Sequence, residues 1–206
     1  MAQQRKKNKP QLRTAETLAK ILDAAQEIFS EQGFEKTQLE EVAARAGYSR
    51  GAIYAHYANK EDVFLALMEQ RVLTKYTAMR QALETEPIVS RRLPIFKRWL
   101  GTQVSDQSWS TLMLEFKLYA LRRPESRDKL LKLYEQMASS SIHDFIKLLF
   151  GDGLSKAARL GIERRLSIMG SVLSAVALES HFKPHLFPRL QIQAVLEEAF
   201  EALVHA

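Results

Sequence analysis

The chain has no cysteine, few glycines and prolines, and no long apolar run. The lack of cysteine excludes disulfides and thiolate metal sites, and is compatible with a cytoplasmic protein. No stretch approaches the roughly 18 consecutive apolar residues that a membrane-spanning helix needs, so we expect no membrane partner. The polar, basic N-terminus lacks the apolar core of a secretory signal. These absences together lead us to expect a cytoplasmic location.

Positive charge is concentrated at the N-terminus. The net charge is +6, and residues 1–13 contain basic side chains but no acidic ones. The basic residues are Arg5, Lys6, Lys7, Lys9 and Arg13. With so few apolar residues, this segment is predicted to be a flexible arm. It either contacts the phosphates or minor groove of DNA, or only keeps the protein in solution.

The rest of the chain has helical periodicity throughout, and 8 glycines and 6 prolines among 206 residues interrupt it rarely. The pattern predicts an all-α fold with about nine helices: a three-helix head over residues 14–60 and a larger body over 61–206. The predicted helices cover about 14–32, 38–46, 50–56, 60–84, 91–104, 108–122, 124–150, 156–182 and 189–205.

Residues 37–64 have the spacing of a helix-turn-helix followed by a third helix. Thr37 and Glu40 have the spacing of a capping box, and Gly47 stands where a sharp turn favours glycine. Ser49 and Asn59 are placed to cap the next two helices. A recognition helix of this kind presents its N-terminal residues to the major groove of DNA.

The predicted DNA-contacting residues surround the second short helix. Arg50 can form a bidentate pair with guanine, and Gly51 lets the backbone approach the DNA closely. Lys60, at a helix N-terminus, can meet a phosphate. The full predicted set is Thr37, Tyr48, Ser49, Arg50, Gly51, Tyr54, His56, Tyr57 and Lys60.

Residues 13–68 resemble the DNA-binding domain of TetR/AcrR-type bacterial transcriptional regulators. The similarity runs through the whole of ILDAAQEIFSEQGFEKTQLEEVAARAGYSRGAIYAHYANKEDVFLALM. At Tyr48 this family more commonly has a small aliphatic residue, so the ring either packs inside or reaches a phosphate. The resemblance implies a dimeric regulator, most often a repressor, that binds palindromic operator DNA and is released by an effector bound in the body.

Aromatic and methionine side chains on three consecutive body helices suit a small apolar or amphipathic effector, although ordinary core packing would also account for them. We predict a cavity between helix four and the last two helices, lined by some of Trp99, Met113, Phe116, Tyr119 and Tyr134. Glu115 interrupts an apolar stretch and needs a partner. That partner is either a nearby arginine, Arg122 or Arg123, or a cationic ligand.

The last two helices are predicted to form a homodimer interface. Small residues such as Gly170 alternate with large apolar ones on the eighth helix, which favours close helix–helix approach. The alternative is that these helices only cover the core of the monomer.

The sequence contains no pattern typical of catalysis or cofactor binding. Five histidines are scattered along the chain, and no phosphate-binding loop or nucleophile motif occurs. We therefore expect neither a metal nor a cofactor. Two other classes remain as alternatives: a helical-bundle enzyme or small-molecule carrier, and a protein that compacts DNA without sequence preference.

Overall fold

The computed structural model describes residues 2–103, 106–183, 185 and 189–205. These residues contain nine α-helices and no β-strand, which confirms the predicted all-α class. The helices are α1 (Ala2–Gln32), α2 (Leu39–Arg45), α3 (Arg50–Tyr54), α4 (Lys60–Glu84), α5 (Val89–Thr102), α6 (Gln107–Leu121), α7 (Pro124–Phe150), α8 (Lys156–Phe182) and α9 (Arg189–His205).

The helix termini mostly follow the sequence signals. α4, α7, α8 and α9 have their predicted bounds, and α2, α5 and α6 differ by one or two residues at each end. The oxygen of Ser49 accepts from the N–H of Ala52 at 3.3 Å, and that of Asn59 from the N–H of Asp62 at 2.9 Å, so both predicted caps are confirmed. Gly47 has a positive φ of 77°, as the turn requires.

Helix α1 begins at Ala2, well before the predicted start near residue 14. Its first residues include several lysines, arginines and glutamines, which retain much of their side-chain freedom in a helix. The side chains of Arg5, Lys6, Lys7, Lys9 and Arg13 lie outside the described part of the chain. That residues 1–13 act as a flexible phosphate-binding arm therefore stays a prediction.

The chain divides into two compact units. The first unit, called here the head unit, comprises residues 1–71 and 114–130. The second, the body unit, comprises 72–113 and 131–206. The head unit thus includes the C-terminal half of α6 and the start of α7.

Aromatic side chains form the centre of the head unit. Phe29, Phe34, Phe64 and Phe116 are fully buried. The ring centroids of Phe64 and Phe116 are 4.3 Å apart, and those of Phe34 and Tyr119 are 4.8 Å apart. Edge-to-face and offset contacts of this kind stabilise a core beyond the area that they bury. They join α1, α4 and α6 within one core.

In the body unit, α9 packs against both α5 and α8. The approach of α5 to α9 is close at Gly101, where an added Cβ would lie 3.0 Å from the Gln193 side chain. The ring centroids of Phe96 and Phe200 are 5.4 Å apart. Both rings belong to a buried hydrophobic cluster that also contains Phe145 and Met169. Among the described residues, none of the helices combines the length and apolar character that a membrane span requires.

Candidate nucleic-acid interface and internal cavity

The surface around α3 presents an exposed set of polar side chains. Ser49, Arg50, Gly51, Tyr54 and His56 are exposed. The Arg50 guanidinium lies 5.4 Å from the ring centroid of Tyr54, a cation–π distance. On the opposite side of the helix, Ile53 is fully buried and anchors α3 on the head core. The helix is therefore held firmly on one side and open to a large partner on the other.

Helix α3 ends at Tyr54, two residues earlier than predicted. His56 and Tyr57 consequently lie in the turn that follows, where the N–H of Tyr57 donates to the carbonyl of Ile53 at 2.9 Å. Burial raises the pKa of the half-buried Tyr57. Tyr48 is also half-buried, and its N–H donates to the carbonyl of Ala43 at 2.8 Å. Both rings thus combine packing with partial access to solvent.

Thr37 does not have its predicted role. Its side chain is buried, and its hydroxyl donates to the carbonyl of Gly33 at 2.8 Å instead of facing a phosphate. The N-cap of α2 is Gln38, which makes no side-chain cap bond, so the predicted capping box is wrong. The physical reason is that carbonyls at the end of α1 lack helical partners, and the Thr37 hydroxyl supplies one.

Lys60 faces the loop between α1 and α2. Its ammonium donates to the carbonyls of Glu35, at 2.5 Å, and Thr37, at 3.4 Å, and lies 5.1 Å from the ring centroid of Phe34. Burial lowers the pKa of this lysine, with nearby charges contributing less. Lys60 therefore stabilises the loop that leads into α2. Its contact with phosphate stays a prediction.

Glu40 contacts Arg50 and Tyr54 and does not cap α2 as predicted. Its carboxylate is 3.0 Å from Nε of Arg50 and 3.4 Å from the hydroxyl of Tyr54. Glu40 was predicted to belong to the capping box with Thr37. The predicted helix-turn-helix already implied that α2 packs against α3, and this packing brings Glu40, in the first turn of α2, to Arg50 at the start of α3.

Glu115 also has a partner that the sequence did not suggest. Its carboxylate accepts from the N–H of Phe34 at 2.7 Å, whereas Arg122 and Arg123 were the predicted partners. Nearby, Glu61 accepts from the hydroxyls of Tyr119, at 2.5 Å, and Ser126, at 2.9 Å. Lys129 forms an ion pair with Asp62 at 2.7 Å. The segment 114–130 is thereby joined to residues 1–71 of the head unit by polar contacts as well as by aromatic packing.

The body unit contains a cavity of about 430 Å³ that is partly open to solvent. It lies among four helices, α4, α5, α7 and α8. The predicted position was between α4 and the last two helices, but the described lining includes no residue of α9. Lys75 is the one charged residue among the described residues of its lining. The lining consists of Val72, Lys75, Tyr76, Met79, Phe96, Trp99, Leu100, Tyr134, Ile142, Phe145, Leu166, Met169, Gly170 and Leu173.

Of the five predicted lining residues, Trp99 and Tyr134 border this cavity, but Met113, Phe116 and Tyr119 do not. Phe116 and Tyr119 belong instead to the aromatic cluster of the head unit, so their assignment to the cavity is corrected. Gly170 borders the cavity as well, and no atom lies within 4 Å of a Cβ added there. Within the described part of the chain, no group of three histidine, aspartate or glutamate side chains could hold a metal ion.

Comparison with known proteins identifies the N-terminal domain. The model of the TetR family of bacterial regulatory proteins matches residues 21–67. The transcriptional repressor BepR of Brucella suis is 40% identical over 68 residues, which cover 33% of this chain and 32% of that protein. The fatty acid metabolism regulator protein of Bacillus subtilis is 24% identical over 131 residues, or 64% of this chain and 63% of that protein. This chain therefore spans less than two thirds of each relative's length.

The fold has similar counterparts among solved structures. The Bacillus subtilis transcriptional regulator FadR, in complex with stearoyl-CoA, superposes with a TM-score of 0.58 and 19% identity. The match covers 90% of this chain and 97% of that one. At this identity the likeness shows the fold. The family and the matched relatives are transcriptional regulators and not enzymes, as the sequence led us to expect.

Proposed function

Because the N-terminal domain of this chain belongs to the TetR family, we propose that the protein is a ligand-responsive transcriptional repressor. In this proposal it binds a palindromic operator as a homodimer and leaves it when an effector enters the body. The observation that carries the proposal is the exposed polar surface of α3, with Arg50 and Tyr54 side by side on a helix anchored by Ile53.

Base recognition is assigned to α3. Arg50 is the residue proposed to read bases, because its side chain is 72% exposed and a guanidinium can donate two parallel hydrogen bonds to guanine. Tyr54, His56, Ser49 and the backbone at Gly51 are proposed to position the phosphates. Tyr48 and Tyr57 present only part of their rings to solvent and add to the same surface.

The proposed dimer uses α8 and α9. One face of α8 exposes Leu160, Ser167, Ile168, Ser171 and Ala175, which recur at helical spacing. On α9, Ala194 and Val195 are exposed, with Val195 at 57%. Such exposed faces on neighbouring helices suit a four-helix interface between two subunits. The dimer would hold two heads about 34–36 Å apart, the spacing of successive major grooves on one side of DNA.

The effector is proposed to be apolar or amphipathic and to occupy the cavity of the body unit. The described lining consists mainly of aromatic, leucine and methionine side chains, and Lys75 is the charged residue among them. This composition suits an apolar group with an anionic or polar end. The similarly folded regulator in complex with stearoyl-CoA supports a ligand of this kind. Cavity wall residues Val72, Tyr76 and Met79 lie on α4, the helix that also supplies Phe64 to the head core. A ligand that displaces α4 would change the spacing of the heads, giving negative coupling of about 1–3 kcal/mol.

The test is enrichment of duplexes from a randomised DNA pool by the full-length protein, followed by binding measurements on the enriched and scrambled duplexes. An inverted repeat whose half-sites lie about one helical turn apart is expected. Binding should weaken steeply as salt rises. Stearoyl-CoA and free fatty acids should then be titrated into the complex. Equal affinity for all sequences would favour non-specific DNA compaction, and ligand binding without any DNA binding would favour a carrier.

A further inference from the structure

The carboxylate of Glu40 lies within the surface proposed to face DNA. It is 3.0 Å from Nε of Arg50 and 3.4 Å from the hydroxyl of Tyr54, the two large exposed side chains of α3. The Arg50 guanidinium in turn lies over the Tyr54 ring, 5.4 Å from its centroid. One acid on α2 therefore contacts both groups that α3 offers to a partner.

This position needs a reason, because a carboxylate repels DNA phosphates. Fold stability does not supply the reason. The Glu40 and Arg50 side chains are 43% and 72% exposed, and ion pairs at such exposure contribute little to stability. A negative charge in the first turn of a helix interacts favourably with the helix dipole, but Glu41 already supplies one in α2. The particular feature of Glu40 is its contact with Arg50 and Tyr54.

We propose that Glu40 is a positioning residue that sets the sequence specificity of Arg50. The ion pair uses Nε of Arg50, so both terminal nitrogens remain outside it and can donate end-on to O6 and N7 of guanine. The same carboxylate opposes a shift of Arg50 toward a phosphate, because that phosphate would approach a like charge. Arg50 then gains more from the correct base than from the sequence-independent backbone. This inference rests on the proposed DNA-binding function.

The chain offers a matched control for the test. Glu40→Gln and Glu41→Gln each remove one negative charge from the first turn of α2, and glutamine has nearly the helix propensity of glutamate. Only the first substitution weakens the contact with Arg50. Each full-length variant is measured on the duplex that the wild type enriches from a randomised pool and on its scrambled counterpart, over a series of salt concentrations. Circular dichroism confirms that both are folded.

The specificity ratio is the affinity for the enriched duplex divided by the affinity for the scrambled duplex. This ratio should fall roughly ten-fold in E40Q, which is within the discrimination that one bidentate arginine contact supplies. Affinity for the scrambled duplex should rise in E40Q. The E41Q variant should change both affinities by the same factor and keep the ratio. Enrichment repeated with E40Q and with Arg50→Ala should relax the same base position in each half-site.

Equal ratios in E40Q and E41Q would overturn the inference, as would an E40Q that loses discrimination evenly at every position. Both results assume that the wild type enriches a sequence. If the wild type itself enriches none, the proposed regulatory function fails, and that outcome is distinct from a failure of the role assigned to Glu40.

Discussion

The carboxylate of Glu115 accepts a hydrogen bond of 2.7 Å from the backbone N–H of Phe34, which lies 81 positions earlier in the chain. This N–H belongs to the loop that follows α1, just after Gly33 ends that helix with a φ of 81°. Through this bond, the segment 114–130 holds in place the loop that follows α1. The sequence left either an arginine or a cationic ligand as the partner of Glu115, and the observed partner is a backbone amide.

Glu115→Ala should destabilise the protein by about 1–3 kcal/mol, because it leaves the amide of Phe34 without an acceptor in a partly buried position. Glu115→Gln should lose less stability, since the glutamine side-chain oxygen can still accept the hydrogen bond from Phe34. Urea denaturation followed by circular dichroism measures both. An E115A protein as stable as the wild type would show that water replaces the carboxylate.

Gly33→Ala should be more destabilising than Gly47→Ala. Both glycines have positive φ, 81° and 77°, so alanine is strained in each case by roughly 1–2 kcal/mol. At Gly33 an added Cβ would also lie 2.7 Å from Oε2 of Glu115, whereas nothing lies within 4 Å at Gly47. The difference in unfolding free energy should disappear when both are made on an E115A background. If the difference in unfolding free energy persists on that background, its cause is the conformation of the loop and not the contact with Glu115.

Tyr119 should give the head unit an alkaline sensitivity. Burial raises the pKa of Tyr119 above its usual 10.0, and its hydrogen bond to Glu61 adds to the effect. The folded state therefore holds the phenolic proton more tightly than the unfolded chain does. The stabilisation is complete below pH of about 10 and is lost as pH rises through the folded pKa.

Tyr119→Phe should accordingly be less stable than the wild type by about 1–2 kcal/mol near neutral pH, and the gap should narrow at alkaline pH. Urea titrations at a series of pH values measure the gap directly. Comparing the two proteins at each pH cancels the titration of other groups, such as Lys129, whose pKa is raised by its hydrogen bond to Asp62. A gap that stays constant through this range would remove Tyr119 as the cause.

Ile168→Arg should convert the proposed dimer into monomers. Ile168 is 54% exposed on the face of α8 assigned to the interface, where a buried guanidinium would lack a partner. Leu131→Arg is the control, because Leu131 is equally exposed but lies on α7. Sedimentation velocity distinguishes the two states. Dissociation by both variants, or by neither, would move the interface away from this face.

Gly170→Leu should weaken effector binding by filling the cavity that Gly170 borders, in contrast to the dimer disruption predicted from sequence. The probe is an anilinonaphthalene sulfonate, whose fluorescence rises in apolar sites. Monomeric G170L with unchanged probe binding would restore the assignment of Gly170 to the dimer interface.

Phe116→Ala should leave binding of the same probe intact. It should destabilise the fold by about 3–5 kcal/mol, since this ring is fully buried in the head unit.

Local signals in the sequence predicted local structure well. The caps at Ser49 and Asn59 and the turn at Gly47 depend on residues a few positions apart, and all three are confirmed. The errors concern distant partners. Phe116 has the same helical periodicity whether it lines a cavity or packs on Phe34, and only tertiary structure separates these cases. Thr37 likewise was predicted to cap α2 and contact DNA, but its hydroxyl donates to the carbonyl of Gly33.

The discontinuity of the head unit has a consequence for how the head can be exchanged between proteins. Recombination that joined residues 1–71 to a foreign body would separate Phe34 and Phe64 from Phe116, and Glu61 from Tyr119 and Ser126. A viable chimaera must therefore carry residues 114–130 along with the N-terminal third. Among descendants of this chain, substitutions in those two segments should co-vary, even though much unrelated sequence separates them.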